Sequence, residues 1–445
     1  MCAAYSPDPD PVGYLVDGVR YAGRPEGLQD ALAQAHRARG SAARPRCLCV
    51  PGGVEMYVAC VGGAFLLKRM PGSGPLHECR CPSFEPPAGV SGLGQVLGSA
   101  ISEDPADGRI FLKLGFPLTK EGRRVGAPGE PTGAATAATS GAKLSLRGLL
   151  HFLWEEAGFN RWSPAMANKR TWLVLRRHLL QACTGKQSRG QGLAESLFLP
   201  EAWVEARKDE QAARRRAQFL RIASPPRGVR RLLLLLGEVR RLDEGRHGPR
   251  LVVKHAPEIE FGLHADIHQA LRRRFEVELA FWRAAAGAAV QEGHLVVLGT
   301  FSVGLSGKPA MEELVLMYVS RNWLPVEDAF ELELIETLTA AGRRFSKSLR
   351  YNLAASEPLP CAVLIDAGDP AWVLFIARPG ADPAFAPRAS EIAEAAGLRL
   401  WLWVPGDADM PPLPPLADSG REASEAAADR FDPWAAVTAF ERQET

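Results

Sequence analysis

The sequence lacks several patterns by which membrane proteins and common enzymes are recognised. No segment reaches the ~18 uncharged apolar residues needed to span a bilayer, and the longest candidate, LLLLLGEV, has the length of a strand. There is no phosphate-cradling glycine loop, no nucleophile elbow and no dinucleotide-binding fingerprint. These absences exclude a membrane-spanning helix and leave no signature of nucleotide hydrolysis, serine hydrolysis or dinucleotide-dependent redox chemistry.

The chain also has little cysteine, 8 of 445 residues, and a net charge of only +2. Its first residues have neither the basic n-region nor the apolar h-region of a secretory signal, so we expect a cytoplasmic location in which thiols stay reduced. The hydrophobic fraction of 46% is that of a soluble globular protein. At the usual ~150 residues per domain, the length predicts more than one domain.

The few cysteines are concentrated in two short clusters with the spacing of a structural metal site. Cys47 and Cys49 lie two apart in RPRCLCVPG, and His77, Cys79 and Cys81 follow in GPLHECRCPSFEP. Proline or glycine flanks both clusters, which is typical of turns. The residue types are the soft sulfur and nitrogen donors that zinc prefers.

The segment between the clusters, VEMYVACVGGAFLLKRM, alternates polar and apolar residues around a Gly-Gly pair and predicts a β-hairpin. Such a hairpin would bring the first cluster beside the second. We therefore predict a zinc site, with Cys79 as a spare thiol; a disulfide and incidental buried cysteines stay open as alternatives. The predicted ligands are Cys47, Cys49, His77 and Cys81.

Basic residues are concentrated in the middle of the chain, from 161 to 250, while the C-terminal end carries mostly acidic ones. The segment KLSLRGLLHFLWEEAGF predicts a helix capped by Ser145, and ANKRTWLVLRRHLLQAC predicts a second, basic helix. This helical hairpin could contact nucleic acid through its cationic face, or it could pack its Trp stripe into the core. The predicted phosphate contacts are Lys169, Arg170, Arg176 and Arg177.

The C-terminal part orders as helix, strand, strand, strand, helix, strand over residues 327 to 404. That order resembles the core of restriction-endonuclease-like nucleases, which bind a divalent ion through acidic residues on adjacent strands. Asp366 matches the first acid, but the next strand, 372 to 377, has neither carboxylate nor lysine, so we expect a degenerate unit without catalysis. A plain turn role for Asp366 is favoured over a catalytic one. Lys347 and Arg350 would hold phosphate without cutting it.

The predicted fold class is a multidomain α+β protein. A stretch rich in Gly, Ala, Thr and Pro separates the cysteine module from the rest and cannot bury a core. The predicted units are a zinc-binding β-hairpin module at 1–120, a flexible linker at 121–142, a basic helical region at 143–224, an α+β domain with a mainly antiparallel sheet at 225–322, a degenerate restriction-endonuclease-like α/β unit at 323–410 and a Pro-rich, acidic tail at 411–445.

The motifs LKRMPGSG, GLGQVLGSAI, LSLRGLLHFLWEEAG and NWLPVEDAFE resemble a bacterial family, the domain of unknown function 1173, carried on conjugative plasmids and integrative elements. The resemblance runs from Arg44 to Pro415. The Cys-x-Cys and His-x-x-x-Cys positions of the family fall on the four predicted ligands and leave Cys79 as an extra. A mobile-element setting implies nucleic acid, or proteins of the element, as partners.

Three functions follow as hypotheses. The favoured one is a non-catalytic, zinc-stabilised accessory factor that associates with nucleic acid. The second is a metal-dependent nuclease whose remaining carboxylates come from elsewhere, from Glu331 or Glu336 on the preceding helix, with Asp366 and Asp369. The third is a scaffold that docks protein partners through its proline-rich tail, MPPLPPLADSG, in a transfer or defence complex.

Overall fold

The structure is a computed structural model. It shows a mixed α+β protein with several sheets. Among the residues that it describes, no helix has the length and apolar character needed to cross a membrane. The residues that it describes are 13–22, 27–38, 44–61, 64–70, 72–79, 81–104, 109–121, 142–223, 229–245, 248–286, 293–406 and 409–417.

The N-terminal module is a five-stranded antiparallel sheet with one helix packed on it. The hairpin predicted between the cysteine clusters is confirmed, with its strands paired from Met56 opposite Arg69 to Val61 opposite Ala64; its Gly-Gly turn lies outside the described residues. Leu28 and Leu32 of the helix pack on Val16 and Val58 of the sheet. Its elements are β1 Gly13–Val16, β2 Val19–Ala22, α1 Leu28–Ala38, β3 Arg46–Cys47, β4 Val54–Val61 and β5 Ala64–Arg69.

Short elements connect this module to the helical region. Ser145 caps the first long helix by accepting a hydrogen bond from the Gly148 N–H, as predicted. Trp154 and Trp172 are buried, so both predicted helices turn their Trp stripes into the core. The elements are α2 Leu93–Val96, β6 Ile101–Glu103, β7 Ile110–Leu112, β8 Thr119–Glu121, α3 Leu146–Glu156, β9 Arg161–Trp162, α4 Trp172–Cys183, β10 Lys186–Ser188, β11 Gln191–Gly192, β12 Leu197–Phe198 and α5 Lys208–Leu220.

The central unit is a mainly antiparallel sheet whose pairing closes into a ring, because β17 pairs with β14 as well as with β18. Rings of Phe198, Phe219, Phe261 and Phe301 contact one another at centroid distances of 5.0–6.4 Å and fill part of its interior. Its elements are β13 Val229–Arg231, β14 Leu233–Gly245, β15 Gly248–Val253, β16 Phe261–Gly262, α6 Ala265–Arg274, α7 Glu276–Ala286, β17 Gly293–Val303 and β18 Pro309–Ser320.

The C-terminal unit has the element order that its sequence predicts. Its sheet runs β22, β21, β20, β19 and then β9, with only β21 and β22 parallel among these pairs. The edge strand β9 comes from the helical region far earlier in the chain. The elements are α8 Ala329–Ala340, β19 Phe345–Lys347, β20 Ala362–Leu364, β21 Trp372–Ile376, α9 Phe385–Ala395 and β22 Arg399–Trp403.

Strand pairing also joins other segments that the sequence analysis assigned to different domains. β8 pairs with β13, β7 with β10, and β12 with β14. The domain boundaries themselves stay predictions. Most of the predicted linker and of the acidic tail, residues 122–141 and 418–445, lies outside the described residues.

Candidate metal centre

Two tight turns position the predicted metal ligands. Cys47 ends β3, where it pairs with Tyr14 on one side and Val54 on the other, and Cys49 follows in the turn that leads into β4. Gly53 closes that turn with a φ of +68°, a conformation that L side chains rarely adopt. Because β3 and β4 are fixed in one sheet, the first ligand pair is fixed too.

The second ligand pair lies in the loop after β5. A 3₁₀ turn over Gly74–Leu76 precedes His77, and the Cys81 N–H donates to the Glu78 carbonyl at 2.8 Å. A Cβ at Gly74 would lie 2.6 Å from the Cβ of Glu85, so only glycine allows this loop to fold back on itself. The fold-back brings the two clusters together.

The four predicted ligand atoms converge, and all lie within 4.8 Å of one another. The Sγ atoms of Cys47 and Cys81 are 3.6 Å apart, and His77 Nδ1 is 3.3 Å from the Cys49 sulfur and 3.7 Å from the Cys81 sulfur. A tetrahedral zinc ion with Zn–S near 2.3 Å and Zn–N near 2.0 Å separates its ligand atoms by about 3.5–3.8 Å. The side chains therefore fit a zinc ion.

Burial and hydrogen bonding prepare the cluster for a cation. Cys47, His77 and Cys81 are buried and Cys49 is half-buried. The hydrogen bond from Cys47, aided by the Ser83 N–H, lowers the pKa of the Cys81 thiol to about 5, whereas the same thiol pair and burial raise the pKa of Cys47. One thiolate is thus favoured before any metal binds, and a divalent ion would stabilise the others as thiolates.

The surroundings agree with a structural role for the metal. Met56 is buried against the cysteines, with Leu67 and Phe84 packed around them. Around a tetrahedral ion, these four side chains would fill every position and leave none for a substrate, which is the property that distinguishes structural from catalytic zinc. Cys79 is excluded from the cluster, since its thiol donates to the Glu78 carboxylate at 3.1 Å.

The predicted phosphate contacts on the helical hairpin differ in accessibility. Arg170 is buried, donates to the carbonyls of Phe159 and Asn322 at 3.1 and 3.0 Å, and has its pKa lowered to about 9 by burial. Arg176 is half-buried and donates to the Leu199 carbonyl. Lys169 is exposed and Arg177 half-buried. Nucleic-acid binding by these side chains stays a prediction, and Arg170 serves the fold.

The predicted phosphate contacts of the C-terminal unit form buried ion pairs. The Lys347 ammonium lies 3.0 Å from a Glu331 oxygen, with both side chains 2% exposed. The Arg350 guanidinium donates to both oxygens of Glu327 at 2.8–2.9 Å. Both cations are therefore already neutralised within the fold.

Asp366 is likewise engaged by the protein. Its carboxylate accepts hydrogen bonds from Nε and Nη2 of Arg343 at 2.9–3.2 Å and from the Arg344 N–H at 2.6 Å. In the described part of the chain, only the cysteine cluster brings three or more metal-type ligands together. The carboxylates of the nuclease hypothesis thus do not form a metal site there.

Sequence analysis missed a charged cavity beside the metal-binding module. Its wall includes Tyr57 and Lys68 of the hairpin, Glu155 at the end of α3, and Tyr351. These residues come from segments far apart in the chain, so no local sequence pattern predicts that they line one cavity. The predicted hairpin, which pairs Tyr57 with Lys68, was the one sequence pattern that placed two of the wall residues side by side.

Comparison with known proteins gives one match. No curated protein and no solved structure matches the chain. The sequence model of one family covers residues 14–406, a range that includes every strand and helix described above except parts of β1. The chain therefore belongs to the family described as "Protein of unknown function (DUF1173)".

Proposed function

We propose that this protein is a non-catalytic accessory factor of a mobile genetic element, stabilised by zinc and associated with nucleic acid. The observation that supports the proposal is the convergence of four side chains that could hold a metal ion, in a chain whose middle region directs a surplus of positive charge to solvent. A metal centre of this kind holds a module in shape and does no chemistry. The cationic surface would then supply the contact with phosphate.

The surplus charge lies between residues 161 and 231. In the described part of this range, eight Lys or Arg residues are exposed against four exposed carboxylates. Lys208 and Arg214 are engaged by neighbouring glutamates, which leaves most of the surplus on other side chains. The exposed cations are Lys169, Arg189, Arg207, Lys208, Arg214, Arg216, Arg221 and Arg231.

The cations of the proposed phosphate contact are not the same set as the cations predicted from the sequence. Arg170, Lys347 and Arg350 are not included, because each is buried and paired inside the protein. Arg216 and Arg221 enter instead, since both are exposed near the end of α5. An exposed guanidinium loses little hydration when it meets a phosphate, whereas a buried one would first have to break its ion pair.

Salt-dependent DNA binding tests the proposal. Each neutralised phosphate steepens log affinity against log salt by about 0.9 for duplex DNA, so Arg216→Gln with Arg221→Gln should flatten the slope by up to about 1.8. Arg388→Gln is the matched control, because Arg388 is an exposed arginine on α9, outside the basic range. If neither single- nor double-stranded DNA is retarded at low salt, or if the control flattens the slope equally, the proposal is wrong.

A further inference from the structure

The four-stranded sheet of β11, β10, β7 and β6 has one buried face and one face that carries exposed side chains. On β7 the buried side chains are Ile110 and Leu112, which are 4% and 3% exposed and belong to the main hydrophobic core. Phe111 lies between them on the opposite face and is 41% exposed. An outward position on a half-buried strand is usually polar, so the solvent face of this sheet presents an aromatic ring where a polar side chain is expected.

Phe111 lies in the middle of this face, between two polar side chains. It is opposite Ser102 in the antiparallel pair of β6 and β7, and opposite Gln187 in the parallel pair of β7 and β10. Ser102 is exposed and Gln187 is half-buried. Paired residues on neighbouring strands project from the same face about 5 Å apart. The exposed ring therefore has a hydrogen-bonding side chain on each side.

Two exposed cations lie toward one end of the same face. Lys113 follows Phe111 by two residues, and Arg189 follows Gln187 by two residues. Because β7 and β10 run parallel, both cations lie beyond the same end of the sheet. Arg189 and Gly190 form the two-residue turn into β11 with φ of +51° and +77°, so Arg189 is presented at the tip of a hairpin.

The described carboxylates near this face lie at its other end and at its far edge. The Asp104 N–H donates to the Arg109 carbonyl at 2.8 Å, which places Asp104 beside Arg109 at the end opposite Lys113. Glu195 lies at the edge strand β11, since a Cβ built on Gly192 would be 3.3 Å from its Oε1. Asp104 offsets the charge of Arg109, and Lys113 lies at the end away from that pair.

We propose that this face binds single-stranded nucleic acid, with a base stacked on the Phe111 ring and backbone phosphates beside Lys113 and Arg189. An unpaired base has an apolar face for an aromatic ring, edges that hydrogen-bond to side chains such as Ser102 and Gln187, and a phosphate on either side. In a duplex the bases stack on one another and do not reach the ring, so this face selects unpaired strands.

The chemistry of the face favours nucleic acid over a protein partner. A protein partner would cover a contiguous apolar patch, whereas Phe111 is the one exposed large apolar side chain among the described residues of these four strands. A single ring with polar neighbours and cations at its end matches a base and its phosphates.

This inference rests on the proposed association with nucleic acid, to which it adds a binding surface and a preference for unpaired strands. Arg189 is the cation that this face shares with the proposed phosphate contact. Arg216 and Arg221 lie near the end of α5 and not on this sheet. Substitutions can therefore test the two surfaces separately.

Fluorescence anisotropy of the full chain with a labelled DNA single strand of about 12 nucleotides, and with the matching duplex, tests the inference. We expect Phe111→Ala to weaken binding of the single strand about five- to a hundredfold, because a stacked base is lost, and to change duplex binding less than about twofold. Phe111→Tyr should retain most of the affinity. Leu305→Ala, which removes an exposed apolar side chain at the turn between β17 and β18, is the matched control.

The salt dependence of single-strand binding tests the predicted phosphate contact. Lys113→Met should flatten log affinity against log salt by about 0.7, the contribution of one phosphate in a single strand. Lys308→Met, at an exposed lysine on the turn between β17 and β18, should leave the slope unchanged. Photo-cross-linking gives an independent readout, because a 5-iodouracil base couples to an aromatic ring on which it stacks, and the cross-linked peptide should contain Phe111.

Equal affinity of Phe111→Ala and the parent protein for the single strand, with single strand and duplex both bound, would overturn this inference and leave the proposed function standing. No binding of either form at low salt would overturn both. Equal weakening of single-strand and duplex binding by Phe111→Ala would show that the ring serves the fold, which also overturns the inference. A dimer of the parent protein that dissociates in Phe111→Ala would show that a second copy of the chain covers the ring, with the same result.

Discussion

The four predicted metal ligands and Asp366 stand out in the sequence for similar reasons, but their surroundings differ in the structure. All are polar residues at turns beside strands. In the first, three cysteine thiols and one imidazole face one another, with separations of 3.3–3.7 Å between neighbouring ligand atoms. In the second, a single carboxylate is satisfied by Arg343 and by the backbone N–H of Arg344. Of these two places, only the first has a ligand set that could hold a metal ion.

The difference shows that the charges next to a carboxylate or a thiol determine whether that side chain can bind a metal ion. Asp366 and Arg343 are 7% and 5% exposed, so the pair is a closed structural unit. Opening it to bind Mg²⁺ would leave a buried guanidinium without a carboxylate, with only the Pro414 carbonyl as an acceptor among the described residues. The cysteine cluster has the opposite balance, because a second and a third thiolate beside the first are unfavourable until a cation joins them.

The largest effect is expected from loss of the metal. Cys47→Ala or strong chelation should remove the zinc and unfold residues 44–91, because structural zinc contributes on the order of 10 kcal/mol in zinc-finger peptides. Metal analysis and amide hydrogen exchange measure this, and Cys60→Ala, at an exposed position on β4, is the control. Retention of zinc by Cys47→Ala would contradict the four-ligand site.

Breaking the buried pair of the C-terminal unit should cost less and leave the metal in place. Asp366→Ala leaves the Arg343 charge buried without a carboxylate, so we expect a loss of about 3–5 kcal/mol in the free energy of unfolding. The paired replacement Arg343→Met with Asp366→Leu should recover most of it. Urea unfolding measures both, with the exposed Glu336→Ala as control. If the parent protein binds a divalent ion that Asp366→Ala does not bind, the result would support the nuclease hypothesis.

Acid should weaken a second ion pair of the same unit. Burial alone raises the pKa of Glu327, but Arg350 outweighs it and lowers that pKa from 4.5 to about 2. Stability from this pair is therefore complete above about pH 4.5 and lost as the pH falls toward 2. We expect roughly 2 kcal/mol, discounted because Glu327 is 32% exposed.

Urea midpoints measured between pH 6 and pH 3 test this dependence on Glu327. The Glu327→Gln variant should have a lower free energy of unfolding at neutral pH. Below that pH, its stability should not show the part of the acid-induced fall that comes from Glu327. The same acid-induced loss in the parent protein and in the variant would contradict the assignment. Release of zinc in the same range would be a separate event, because it requires protonation of the cysteine and histidine ligands.

The smallest effect is expected at the spare thiol. Cys79→Ser should keep the zinc content and change the free energy of unfolding by no more than about 0.5 kcal/mol, since Cys79 is half-buried, lies outside the ligand cluster and donates to Glu78, which a serine hydroxyl can also do. The contrast with Cys47→Ala then distinguishes a metal ligand from a neighbouring cysteine that does not bind the metal. A drop in zinc content for Cys79→Ser would place Cys79 among the ligands.

Local patterns predicted local structure well. Alternation around a Gly-Gly pair gave the β4–β5 hairpin, and Ser145 before a run of apolar residues at helical spacing gave the start of α3. Both depend on neighbours within a few residues. The closure of the central sheet and the pairing of β9 with β19 depend on strands far apart in sequence, and neither was predicted.

The basic residues show the same limit. Arg170 looked like part of a cationic helix face, yet it lies just before α4 and reaches carbonyls of Phe159 and Asn322. Lys347 and Arg350 looked free because their partners, Glu331 and Glu327, lie on or before a different element. The charge of a side chain can be read from sequence, but its accessibility cannot.

By itself the sequence determined which residues can bind a soft metal, because the donors are set by side-chain type and their approach by one hairpin and two short turns. Only the tertiary structure decided that Asp366 meets Arg343 and that Lys347 meets Glu331. The physical reason is that a charge is neutralised by whatever the fold brings near it. For these groups, the neighbours come from segments that the chain alone does not connect.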